Sequence, residues 1–233
     1  MATDRDLRVI PMTGAGTAEA SVLATNRVLR NTYLLLSATL LFSALMAGLA
    51  MAIGMPSLGP VVTLVGYFGL LFLTVRLQNS AAGIAAVFAL TGFMGLTLGP
   101  ILSIYMKSVP NGGELVMTSL GVTGLLFAGL SIYAVRSRRD MSFMRKFLTV
   151  GMFGLLGVIL VGLFVDLSAF QMAISSAVVL LMTGCILFET SAIIHGGQTN
   201  YILATVSLYV SLYNIFLNQI GRASCRERVY SSV

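Results

Sequence analysis

Seven stretches of this chain, at about 33–54, 58–75, 81–105, 114–135, 147–165, 171–194 and 201–220, are long and apolar enough to cross a bilayer. A hydrocarbon core of ~30 Å takes ~20 apolar residues, because a helix rises about 1.5 Å per residue. Hydrophobic residues make up 57% of the chain and charged ones 9%. Soluble domains sit near ~45–50% and ~25%. So few charges cannot build a surface that faces water, so the exterior must face lipid. The prediction is an all-α membrane protein, a seven-transmembrane-helix bundle. The connections (MPS with a Gly-Pro pair, RLQNS, KSVPNGG, RSRRDMSFMRK, DLSAF and HGGQTN) are short and carry the residues that turns need. They leave no room for a folded insertion, and consecutive helices must run antiparallel. The first apolar run starts near Tyr33 and exceeds a cleavable signal's core, so it serves as the insertion signal itself.

Lysine and arginine set the orientation, because cytoplasmic loops hold the excess of positive charge. With the N-terminus in the cytoplasm, that side carries Arg5, Arg8, Arg27, Arg30, Arg76, Arg136, Arg138, Arg139, Arg145 and Lys146. The other side carries Lys107 alone before the final tail. The net charge of +6 therefore reads as membrane orientation, with no nucleic acid as partner. An odd number of crossings puts the C-terminus in the periplasm. Residues 1–30, with Pro11, Gly14 and Gly16, are expected to form a flexible cytoplasmic tail that turns helical from Ser21 onward. The end of the chain breaks the charge rule. GRASCRERVYSSV places Arg222, Arg226 and Arg228 outside and stops the seventh run at Ile220. Two readings are open: six spans with a cytoplasmic C-terminus, or a foreign or frameshifted tail over 221–233. Cys185 lies in an apolar run and Cys225 in the tail, so no disulfide is expected between them.

One acid lies well inside an apolar run: Glu189, ~8 Å from the cytoplasmic boundary by helical rise. A carboxyl there must be protonated or paired. Arg76 ends the second helix on the same side. On the seventh, Ser207, Ser211, Asn214 and Asn218 form one polar stripe, with Ser207 level with Glu189. Such a stripe faces protein or a water path, not lipid. Two roles fit this group: a titratable site on a proton or ion path with Arg76 as its latch, or a static hydrogen-bonded node joining helices two, six and seven. Catalysis finds no support. A Ser needs a His or Lys base on a facing helix, and one buried acid with one helix-end histidine, His195, meets neither this nor a shared-proton pair. A lone histidine is poor ground for a metal. The expectation is a protein that is not an enzyme and has no cofactor. Two rows of small residues, Ala44/Gly48/Ala52 and Gly95/Gly99/Ser103, suit close helix packing in lipid. Pro100 should kink or break the third helix.

The stretch GCILFETSAIIHGGQTNYILATVSLYVSLYNIF resembles helices six and seven of the Bax inhibitor-1 family. FETSAIIHGG, RVLRNTYLLLS, TGFMGLTLGPILSIY and RRDMSF are similar to its bacterial YccA-like branch. The likeness runs from about Val28 to Phe216. It implies a bundle whose seventh helix is surrounded by the other six, in the bacterial inner membrane. It also implies a modulator that restrains the membrane protease FtsH as a slowly degraded substrate, with FtsH and its membrane-bound regulators as partners. Residues 1–30 would then be the handle an unfoldase needs. Other members act as pH-sensitive proton or calcium leak channels, using paired aspartates and a helix-two arginine. By position these fall on Glu189, Ser211 and Arg76. Ser211 is a departure, because without a second acid the shared-proton pair is missing. The channel reading therefore ranks second.

Overall fold

The computed structural model describes residues 14–108, 111–162 and 164–231. They form α1 (Gly14–Ala52), α2 (Pro60–Leu77), α3 (Ala82–Ser108), α4 (Gly112–Ser137), α5 (Met144–Gly162), α6 (Gln171–Ile194) and α7 (Tyr201–Ser231), with one 3-10 turn before α6. No strand occurs among the described residues. All seven helices are long and apolar enough to cross a membrane, and they overlie the seven apolar runs. The ends differ from the sequence expectation. α1 starts at Gly14, so most of the segment expected to be tail is helical, and its spanning part is Thr25–Ala52. The stretch TAEASVLATNRVLR is rich in Ala, Leu and Arg, which are good helix formers. Residues 1–13 of the expected tail lie outside the described residues. At the other end α7 stays helical to Ser231, while its spanning part closes at Arg222.

Local chemistry sets several helix ends. α2 opens with Pro60, whose missing N–H is no loss in a first turn. α4 stops where Arg138 turns left-handed (φ 46°) and returns its N–H to the Ala134 carbonyl. α6 stops at His195, after which Gly196 takes φ 72°, a value natural to glycine at a helix C-terminus. α3 runs unbroken through Pro100, so of the expected kink or break the break does not occur. A helix held between neighbours tolerates one missing backbone bond.

α1 and α3 make the closest pair. A Cβ added at Gly95 would collide with the Ser43 carbonyl, and one at Gly99 would lie 2.5 Å from the Ala50 Cβ and 2.8 Å from the Ala47 carbonyl. The expected row on α3 is therefore a packing face. The expected row on α1 is not: Ala44, Gly48 and Ala52 are exposed, and α1 meets α3 through Ser43, Ala47 and Ala50 instead. α7 sits in the middle. No residue from Tyr201 to Arg222 is exposed, and its principal neighbours are α1, α3, α4 and α6. The sequence likeness implied six neighbours. α2 packs chiefly on α3, and α5 on α6, one layer further out. Hydroxyls fasten the centre: Tyr209 shares a 2.6 Å hydrogen bond with Ser43 and donates to the Thr91 carbonyl at 3.3 Å. The Thr205 hydroxyl donates within α7 to the Tyr201 carbonyl at 2.8 Å, with the Thr32 carbonyl of α1 at 3.3 Å. Outward, Phe68, Phe72, Phe147 and Phe153 stand exposed on α2 and α5, a surface suited to hydrocarbon.

Candidate functional site

The short turn between α6 and α7 brings the end of one helix beside the start of the next. Asn200 caps α7, its Oδ1 accepting from the N–H groups of Ile202 and Leu203 at 2.9 and 3.3 Å. An amide side chain is well suited to that position. Its Nδ2 donates to the Gln78 carbonyl and to Asn79 Oδ1 at 3.0 and 3.1 Å, fixing the α2–α3 turn. Two residues earlier, Gln198 folds back over α6.

Gln198 covers Glu189. Glu189 is only 7% exposed, and Gln198 Nε2 donates to its Oε1 at 3.2 Å. The Ser207 hydroxyl of α7 faces the same carboxyl. The structure thus brings Glu189 and Ser207 into the same place. The rest of the stripe behaves differently. Ser211 donates to the Ser207 carbonyl at 2.9 Å, Asn214 to Val210 at 2.8 Å and Asn218 to Asn214 at 2.8 Å. Each satisfies its donor inside α7, four residues back, and none reaches the carboxyl. Arg76 is exposed at the end of α2, and among the described residues it forms no ion pair with Glu189. The structure does not bring the latch and the acid together.

A second cluster lies at the same end of the bundle, where α6 meets the α4–α5 connection. Ser191, 2% exposed, donates to the Arg139 carbonyl at 3.0 Å and accepts from the Met141 N–H at 3.1 Å. His195 Nδ1 lies 2.9 Å from the Ser191 carbonyl and Nε2 lies 3.1 Å from that of Arg138. Beside them Asp140 Oδ1 accepts from the Ser142 hydroxyl and N–H at 2.5 and 2.8 Å. Those two donors, hydroxyl first, hold the Asp140 carboxyl below the ordinary aspartate range, with a smaller contribution from the charge of His195. Gln198 and Ser191 are residues of this region that the sequence does not single out, and His195 reads there as a lone helix-end histidine. The usable signal was the turn length, since a six-residue connection must fold its polar groups onto the helix it leaves. Glu189 stands without clustered acids, for no three His, Cys, Asp or Glu gather among the described residues. Calcium takes about six to eight oxygen ligands.

Comparison with known proteins adds the wider frame. The family described as Inhibitor of apoptosis-promoting Bax1 matches residues 25–220, nearly all of the spanning part. The chain is 53% identical over 191 residues to an uncharacterised protein of Pseudomonas aeruginosa, covering 82% of this chain and 86% of that one. It is 49% identical over 201 residues to the modulator of FtsH protease YccA of Escherichia coli K12, covering 86% and 91%. A membrane protein of Vibrio cholerae is 42% identical over 200 residues, covering 85% and 89%.

Proposed function

This chain belongs to the Bax inhibitor-1 family of multi-pass membrane proteins, and from that premise we propose that it binds the membrane protease FtsH and restrains it as a slowly degraded substrate. The observation that carries the proposal is the 49% identity, over 91% of its length, to a protein named for modulating FtsH. The bundle supports it in physical terms. A substrate that resists extraction needs a membrane part held by many internal contacts, and no residue of the α7 span is exposed. It also needs a handle. Residues 1–13 and the start of α1 precede the first span and supply one if the N-terminus is cytoplasmic, as the distribution of Lys and Arg argues.

Co-purification with FtsH and its membrane-bound regulators, together with turnover of an FtsH membrane substrate with and without this protein, tests the reading. Substrate turnover should slow when the protein is present. Deleting residues 1–25 should lengthen the protein's own lifetime and weaken the association. If neither changes, the handle has no role; if substrate turnover is indifferent to the protein, the whole reading fails.

A second reading, a pH-sensitive proton or calcium leak, is favoured by one observation: a buried carboxyl inside a membrane helix, at Glu189. Against it stand the self-satisfied stripe and the absence of a second acid at Ser211. Glu189→Gln discriminates. As a static node the glutamine should leave reconstituted vesicles unchanged and cost about 1–3 kcal/mol of stability. As a titratable gate it should abolish a pH-dependent ion flux that the native protein shows.

A further inference from the structure

α1 and α4 both pack on α3 and α7, yet they make no extended contact with each other. Tyr33 of α1 and Phe127 of α4 bridge them, with ring centres 5.7 Å apart. From that bridge toward the end of α1 and the start of α4, the two helices leave a crevice of about 440 Å³. Its walls are residues 40–51 of α1 and 116–127 of α4, and its floor is α7, through Tyr209, Leu212 and Phe216. Ala44 and Gly48 on one lip and Leu120 and Gly124 on the other are exposed. A Cβ added at Gly48 or Gly124 would meet nothing within 4 Å, so the mouth is open. All four lip residues lie inside spanning segments, and the mouth therefore opens on hydrocarbon.

The lining decides what can enter. Ser43 and Tyr209 share a hydrogen bond with each other, Thr123 donates to the Ser119 carbonyl at 2.8 Å, and Tyr213 donates to that of Met94 at 3.5 Å. Each lining hydroxyl is thus engaged, whereas a buried water needs about two to four polar partners. An apolar guest needs none, and the volume lies within the ~300–1,000 Å³ of ligand pockets. Length narrows the choice. Residues 40–51 cover about 16 Å of helical rise. One leaflet's share of a ~30 Å hydrocarbon core is ~15 Å. The inner end, at Leu40 and Phe127, lies near the middle of both spans, and the outer end, at Met51 and Val116, near their limits. The crevice matches one leaflet in depth and in position.

We propose that this crevice binds one acyl chain of a bilayer phospholipid, drawn from the leaflet at the C-terminal end of α1, with its methyl end against Phe127 and Tyr209 and its carboxyl end near Phe216. The chain completes the wall that α1 and α4 leave open around α7. This assignment is independent of the FtsH reading and holds or fails whatever the protein partner.

The full chain is placed in phosphatidylglycerol nanodiscs with a tracer of the same lipid that carries a diazirine at the methyl end of one acyl chain. After irradiation the labels are mapped by peptide mass spectrometry. Tyr209 and Leu212, 1% and 5% exposed, should carry several times the label of Leu208 and Ile215, which are as deeply buried on α7 but outside the crevice. Moving the diazirine to the carboxyl end of the chain should transfer the label from Tyr209 to Phe216. Gly124→Leu, which fills the mouth, should remove most of the label on α7 and leave that on Phe68 and Phe153, exposed on α2 and α5, unchanged. The proposal is overturned if α7 stays unlabelled while Phe68 and Phe153 are labelled, if the α7 label ignores the position of the diazirine, or if it survives in Gly124→Leu. Label on Tyr209 that disappears when each disc holds two chains would make a second copy the occupant, and overturns the proposal as well. The native protein alone decides the first two outcomes, so a variant that fails to fold does not protect the idea.

Discussion

Removing the Ser191 hydroxyl strands two backbone groups at once, the Arg139 carbonyl and the Met141 N–H. Ser191→Ala should therefore cost about 1–3 kcal/mol, read as a lower thermal midpoint in detergent. Ser37→Ala is the matching control, because that exposed hydroxyl only returns to its own helix at Tyr33, and it should be nearly neutral. Asp140 gives a pH prediction whose sign is fixed by its two Ser142 donors. Its carboxyl is held below the ordinary range in the folded protein, so its contribution is present above that range and lost as pH falls through the lowered value. Ser142→Ala should move the Asp140 titration up toward the ordinary range, visible by carboxyl carbon NMR. At this scale the sequence disclosed Glu189, because a lone acid in an apolar run is conspicuous. It hid Ser191 and the partners of His195. Both side chains meet backbone carbonyls 52 and 57 residues away, and every residue has a carbonyl, so no letter marks the right one.

Between helices, the α1–α3 contact is the most demanding. Gly95→Val should destabilise the bundle by about 1–3 kcal/mol, because the α1 backbone cannot yield as a flexible side chain can. Gly48→Ala meets nothing within 4 Å and should be neutral or mildly stabilising, since alanine is the better helix former. Denaturation in mixed detergent compares the two. Both small-residue rows were visible in the sequence, yet only one is a contact. Lipid tails are as apolar as a neighbouring helix, so spacing cannot say which side a smooth face meets. The stripe on α7 carries a similar lesson. Polarity correctly marked an enclosed helix, but Ser211, Asn214 and Asn218 spend their donors on their own backbone.

For the molecule as a whole, hydropathy counted the crossings, while the polar stripe and the family likeness pointed to the centre. The α7 span has a mean hydropathy of 1.3 against 1.7 to 2.1 for the others, lowered by the polar stripe from Ser207 to Asn218. Orientation rests on the basic residues and is open to direct trial. A fluorescent protein fused before Met1 should glow in the cytoplasm, and alkaline phosphatase fused after Arg222 should be active outside; the reverse pattern would discard the assignment. The central place of α7 also bears on the order of synthesis. Translation delivers this helix last, so α1 to α6 must enter the membrane around a vacant slot. Until then the Ser43 hydroxyl and the Thr91 carbonyl lack the partner that Tyr209 later brings. A nascent chain halted before Tyr201 therefore lacks every contact that α7 makes with α1, α3, α4 and α6.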